Sequence, residues 1–216
     1  MENAILLELQ YLPSIQYVTK LLQYPTVWME QHENYSKGSY RNRCHLASAQ
    51  GLLRLSIPLA GGKHQQQPIR EVKIAYKEPW QSQHWTAIKS AYGKSPFFEY
   101  YADFFQPIFQ KKYTYLWDWN WDLLQQVLQV LAFDSNIKLT EQFNKETNKD
   151  IFDFRNSISP KASKHVNDTA YEIAHYGQVF EEKHGFIPNL SILDLLFCSG
   201  PEAMVYLQRG IVGGGI

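Results

Sequence analysis

The opening of the chain sets two short apolar runs on either side of one amphipathic stretch, and that order admits few folds. Ala4-Ile5-Leu6-Leu7 is apolar, short and followed by Gln10-Tyr11-Leu12-Pro13, which predicts a buried strand entering a loop. Ile15, Val18, Leu21 and Leu22 then recur at helical spacing as far as Tyr24-Pro25, where proline, lacking an N–H, forbids continuation. Val27 to Glu30 suits a second strand. The chain is therefore expected to be α/β, with a β-α-β opening.

Further strands are predicted at Arg43 to Ala47, Leu52 to Pro58 and Glu71 to Ala75, where β-branched and leucine residues alternate with polar ones. The glycine-rich, then polar, stretch from Ala60 to Pro68 reads as an exposed mobile loop. From Pro79 the period changes. Trp80, His84, Trp85, Ile88 and Tyr92 fall on one helical face, with Pro79 suited to the first turn. Helices are predicted from about Pro96 to Phe109, Asp118 to Leu131, Tyr171 to His184 and Ser191 to Phe197, with Thr140 to Lys161 left as loop carrying short elements. Asn189, Ser191 and Asp194 have the look of a capping arrangement at the last of these helices. The expected organisation is one domain: a mixed sheet over about 1–78, a mainly helical half packed on it over about 79–209, and a frayed glycine-rich tail at 210–216.

Composition narrows the function. A chain of 216 residues that is 44% hydrophobic and 19% charged has enough apolar surface for one well-buried core. Its 21 basic and 21 acidic side chains cancel, so no global field draws it onto nucleic acid. No apolar run is long enough to span a bilayer, and the start lacks the basic-then-apolar order of a secretion signal. A cytoplasmic protein without membrane insertion is expected. Two cysteines, Cys44 and Cys198, are too few for a disulfide scaffold. His84, His165, His175 and His184 lack metal-ligand spacing, so neither a metal nor another cofactor is expected.

The densest polar-aromatic cluster runs from Glu30-Gln31-His32-Glu33-Asn34-Tyr35 to Ser39-Tyr40-Arg41-Asn42-Arg43-Cys44-His45. It begins where a strand would end, and open α/β sheets bind ligands at the carboxyl ends of their strands. Arg41 and Arg43 offer planar forks for phosphate or carboxylate, and His32 or Glu30 suits proton transfer near neutral pH. Tyr11, Tyr35 and Asn42 suit orientation of a ligand, with Gln10 and Tyr40 beside them. Arg-Glu pairing among these residues, with the asparagines satisfying turns, would produce the same pattern. Cys44 and His45 are neighbours on a strand and point to opposite faces, so adjacency does not make them a nucleophile and base.

Taken together these segments resemble the WbqC-like family of bacterial proteins. Tyr11-Leu12-Pro13 through Tyr17 and Lys20 is similar to the family's opening His-x-Pro-x-Tyr-Leu-Pro-Trp-x-Gly-Tyr-x-x-Lys, and Tyr35-Ser36-Lys37 with Asn42-Arg43 resembles its Phe-Ser-Lys…Asn-Arg element. Leu55 to Leu59, Pro79-Trp80 with His84, Ala91-Tyr92, Pro96-Phe97-Phe98, and Asn189 to Glu202 continue the likeness in order. Leu7, Leu9, Ser14 and Gln16 replace the family's histidine, first proline, tryptophan and glycine, and Gln31-His32-Glu33-Asn34 replaces its Asp-Asp-x-Gln. The resemblance implies a role alongside surface-polysaccharide and O-antigen biosynthesis. Two readings follow: an enzyme that transfers an acyl or aminoacyl group to a sugar, binding an activated sugar or other small anionic molecule; or a non-catalytic protein that holds a glycan intermediate or a pathway enzyme.

Overall fold

The computed structural model describes residues 4–61, 66–147, 149–161, 163 and 165–212. Strand β1 (Ala4–Glu8) is buried along its whole length, as its unbroken apolar sequence demands of a parallel strand covered on both faces. Leu12 takes a positive φ of 41° and turns the chain before Pro13. Ser14 then caps helix α1 (Ile15–Gln23), its hydroxyl accepting from the Tyr17 amide. Residues Ile15 to Leu21 of α1 are all buried. Even Lys20 is enclosed, its ammonium 2.8 Å from Asp168. The helix ends at Tyr24, before Pro25, and strand β2 (Thr26–Glu30) pairs with β1 in parallel register, Ala4 opposite Thr26 and Glu8 opposite Glu30.

Strands β3 (Arg43–Ser48) and β4 (Gly51–Ser56) form an antiparallel hairpin apart from the parallel sheet. Gly51 stands at φ 98° after the tight turn, a conformation open to glycine at little cost. Helices α2 (Trp80–Tyr92), α3 (Phe98–Gln110) and α4 (Leu116–Val130) follow. Their apolar faces bring Trp80, Trp119, Phe105 and Phe109 into one core with Ile5, Leu7 and Val27 of the sheet; each such side chain is worth about 1.5–3 kcal/mol on burial.

The chain then returns to the sheet. Strands β5 (Ile137–Leu139) and β6 (Ile151–Asp153) are three residues each and flank the central pair, giving the parallel order β5-β2-β1-β6. The sheet thus draws on both halves of the chain. Helices α5 (Glu181–His184), α6 (Ile192–Ser199) and α7 (Ala203–Arg209) close the structure, α6 and α7 against α1. No helix among the described residues is long and apolar enough to cross a membrane.

Four expectations need correction. Glu71 to Ala75 is not a strand. A 3-10 turn at Ile69–Glu71 leads into isolated bridges, Lys73 with Tyr115 and Leu59 with Ile74, because the segment bonds two different neighbours in turn. Of Tyr171 to His184 only the last turn is helical. Tyr171 instead bridges Ile211, and the Tyr176 hydroxyl and Gln178 amide donate to Asp194 at 2.6 and 3.1 Å, so tertiary bonds override the helical period. Among the capping candidates Ser191 does cap α6, but Asn189 accepts from the Gln16 amide of α1 at 3.0 Å. Asp194 is no cap: it is fully buried, and burial pushes its carboxyl upward. Gly210 and Val212, expected to fray, bond the backbone at Glu172 and Ala170. Residues 62–65 of the polar loop and 213–216 of the tail lie outside the described residues.

Candidate functional site

The parallel register places Glu8 and Glu30 side by side at the carboxyl ends of β1 and β2. Past Glu30 the chain runs outward through His32 to Arg43, pinned to its surroundings by backbone bonds: Tyr35 N to the Gln67 carbonyl, Ile69 N to the Glu33 carbonyl, and Tyr11 N to the Tyr40 carbonyl. The segment after β6 returns over the same end of the sheet. Between the two lies a cavity of about 550 Å³, lined among others by His32, Lys37, Arg41, Phe143, Asn156 and Lys161. Gly38 makes this closure feasible. It has φ 79°, and a Cβ there would stand 2.8 Å from Lys161 Cε.

Two ion pairs fix the walls. Arg41, 1% exposed, grips Glu33 in a fork, Nε on Oε1 at 2.6 Å and Nη2 on Oε2 at 2.5 Å. Burial opposes the charge on Arg41, and Glu8 and Glu33 more than offset it, so its pKa rises. Burial pushes the Glu33 carboxyl up while Arg41 pulls it part of the way back. Arg41 Nη1 is buried with no partner, an orphaned donor on a side chain that lines the cavity. Glu30 is held by Arg155 Nη1 at 2.9 Å, by the His32 amide at 2.8 Å and by Thr140 Oγ1 at 2.9 Å. His32 itself is exposed, with Nε2 3.1 Å from the Thr140 carbonyl.

Of the residues singled out from sequence, His32 and Arg41 line this cavity, and Glu30 lies directly behind it. The others go elsewhere. Tyr11 is fully buried, its hydroxyl 2.9 Å from His84 Nδ1 and its ring near Trp119. Gln10 donates to Glu8 at 3.0 Å. Tyr35 donates to Asn42, and Asn42 in turn to the Ile57 carbonyl, so this pair ties the loop to the end of β4. Tyr40 lies 3.3 Å from His45 Nδ1, and burial raises its phenol to about 12. Arg43 sits on β3 opposite Ser56 with its Nε enclosed and unpartnered. Cys44 is fully buried and His45 is half-buried on the opposite face. Burial pushes the Cys44 thiol up, and His45 is lowered to about 4 by burial and by Arg54 and Arg43.

Sequence reasoning missed Lys37, Phe143, Arg155, Asn156 and Lys161. One signal was present: Ile151-Phe152 is a short apolar run followed at once by charge, as Leu6-Leu7 precedes Glu8 and Val27-Trp28-Met29 precedes Glu30. The residues that replace the family's usual ones have structural tasks. Leu7 and Leu9 are in the core, Ser14 caps α1, and Gln16 exchanges hydrogen bonds with Asp168 and Asn189.

Fold and site define an α/β protein with a polar, partly basic cavity at the carboxyl ends of its central parallel strands. The chain belongs to the WbqC-like protein family, whose model matches residues 10–167. Every residue lining the cavity falls within that span. The chain is also similar to the uncharacterized protein Rv1507c of Mycobacterium tuberculosis, 26% identical over 194 residues that cover 81% of this chain and 84% of that one. No solved structure matches. Among the described residues no group of three or more His, Cys, Asp or Glu is placed to hold a metal ion.

Proposed function

We propose that this cavity binds a small anionic molecule, an activated sugar or a phosphate-bearing acyl carrier, and that the protein is a cytoplasmic transferase of bacterial surface-polysaccharide or amino-sugar metabolism. The observation that carries the anion reading is the orphaned Arg41 Nη1 on a buried side chain lining the same cavity as Lys37 and Lys161. A buried donor without a partner costs free energy that an incoming anion recovers. Lys37 and Lys161 are exposed at the rim, where they bind as mobile point charges.

In this reading His32 is the general base, its exposed imidazole lining the cavity with Nε2 3.1 Å from the Thr140 carbonyl. A sugar hydroxyl or amine attacks the acyl carbon of the carrier and gives its proton to His32. The bond from acyl carbon to carrier breaks, its electron pair leaves with the carrier, and His32 returns the proton there. Glu30 and Glu33 orient the walls, since each is committed to an arginine.

That commitment also favours the second reading, a binding protein without turnover. One set of measurements separates them. Calorimetric titration with inorganic pyrophosphate and with a nucleotide sugar should show binding, weakened at least tenfold, about 1.4 kcal/mol, in Lys37→Ala/Lys161→Ala. His32→Ala should keep the binding and lose turnover of an acyl donor. Wild-type protein that binds neither probe would overturn the anion reading, and binding with no turnover on any acyl donor would favour the second.

A further inference from the structure

The loop that follows β5 separates the first cavity from another. Phe143 lines the first, while its neighbours Gln142 and Asn144 line a second cavity of about 340 Å³. The floor of this second space is the sheet face that carries Leu6 and Trp28, partners in register on β1 and β2. Thr140 belongs to the partition, bonding Glu30 through its hydroxyl and lying against His32 through its carbonyl. Arg155 holds the loop in place by donating to the Asn144 carbonyl and to Glu30, both at 2.9 Å.

The two linings differ in kind. The first holds Lys37, Arg41 and Lys161; the second, among the described residues, holds no Lys, Arg or His, and includes the carboxylates of Glu30 and Glu141. The lining residues themselves offer an anion no cation. What the second cavity does offer is a half-buried indole, with Lys138 approaching it from β5 at 5.7 Å, in one lining with Gln142 and Asn144, whose amides meet at 3.4 Å, and with Thr140 and Thr147, whose hydroxyls donate to Glu30 and to the Ile151 carbonyl. An indole packs against the C–H face of a pyranose, and amides and hydroxyls serve as both donors and acceptors for a ring of hydroxyl groups. Its volume lies at the small end of ligand sites, which fits one sugar ring.

We propose that this second cavity is a binding site for a neutral sugar, with Trp28 as its apolar platform and Gln142, Asn144 and Thr147 as its hydrogen-bonding wall. The assignment stands on the cavity's own lining and is independent of what the first cavity binds.

Saturation-transfer difference NMR on the full chain tests it, with glucose and N-acetylglucosamine as probes and inorganic pyrophosphate as competitor. Saturation should pass to the sugar ring protons, persist when pyrophosphate is added, and vanish in Trp28→Ala. Gln142→Trp is the second variant, because Gln142 is exposed and a larger side chain there fills the cavity without opening the core. It should weaken sugar binding at least tenfold and leave pyrophosphate binding unchanged. Absence of transfer to both sugars, transfer that survives Gln142→Trp in folded protein, or displacement of the sugar by pyrophosphate would each overturn the proposal.

Discussion

Glu8 and Glu30 face each other in register on adjacent parallel strands, 2% and 0% exposed, and consecutive residues of a distant segment hold them: Asn156 N donates to Glu8 at 2.7 Å, and Arg155 pairs with Glu30 at 2.9 Å. Like charges directly opposed in a sheet repel. The segment after β6 therefore does more than cover the cavity, because it supplies the donors that make two enclosed carboxylates tolerable at the end of the sheet.

Arg155→Ala is accordingly expected to destabilise the protein by about 3–5 kcal/mol, the cost of leaving a buried carboxylate without its partner. Arg155→Lys should recover only part of this, since one ammonium cannot reach Glu30, Asp153 and the Asn144 carbonyl together as the guanidinium does. Urea unfolding of both variants gives the comparison. A change in Arg155→Ala of under about 0.5 kcal/mol, the range of an ordinary surface substitution, would mean that Glu30 is compensated by other groups.

The Arg41–Glu33 fork carries a similar expectation with a twist. Arg41→Ala should cost about 3–5 kcal/mol, whereas Arg41→Met/Glu33→Leu, which removes both charges, should cost less than either single change. A simultaneous exchange of His32, Arg41 and Arg43 for alanine thus reads out stability as well as ligand binding. A thermodynamic cycle over wild type, Arg41→Met, Glu33→Leu and the double variant would detect the coupling, and additive effects would argue that the pair is not the stabilising unit.

Stability should fall in mild acid. His84 is buried, and burial lowers its pKa from 6.5 to about 4. The unfolded chain binds a proton in that interval and the folded chain does not, so the contribution is complete above pH 6.5 and is lost as pH falls toward 4. At 1.36 kcal/mol for each unit, the loss from His84 amounts to about 3 kcal/mol. His45, lowered to about 4 as well, acts in the same direction. Denaturant titrations at neutral pH and at about pH 4.5 should show the decline, and His84→Gln, which keeps an acceptor for Tyr11, should flatten it. An unchanged slope in that variant would remove His84 from the explanation.

The two thiols should be inert in the native protein. Cys44 is fully enclosed and its thiol is pushed up by burial, while Cys198, half-buried, is pushed up to about 12 by burial and by Asp194. The thiolate is the reactive form, so iodoacetamide at pH 8 should label neither site in folded protein and both in urea. Rapid native labelling of Cys44, followed by mass spectrometry, would reopen its candidacy as a nucleophile.

Much of the fold was legible because local signals agreed. Pro13 and Pro25 bracket α1, and the apolar runs beside them match β1 and β2 to within a residue. Tyr11 shows where such reading stops. A tyrosine beside a predicted strand end suits a ligand or a core equally well, and its hydroxyl took His84, 73 positions away, as partner. Tyr171 to Phe180 carries a helical period, yet Asp194 and the Gly210 to Val212 segment offered its polar groups better partners than a helix would.

By itself, then, the sequence determined the elements whose period and boundaries are written within a few neighbouring residues: the β-α-β opening, the strands β3 and β4 and the long helices. Only the tertiary structure decided the cavity. Its basic wall needs Lys161 laid over Gly38, and its floor needs Arg155 and Asn156 brought to carboxylates 125 and 148 positions earlier in the chain. β5 and β6, which position those residues, are too short to announce themselves by pattern, because three residues hold a place in a sheet through the strands beside them rather than through their own periodicity.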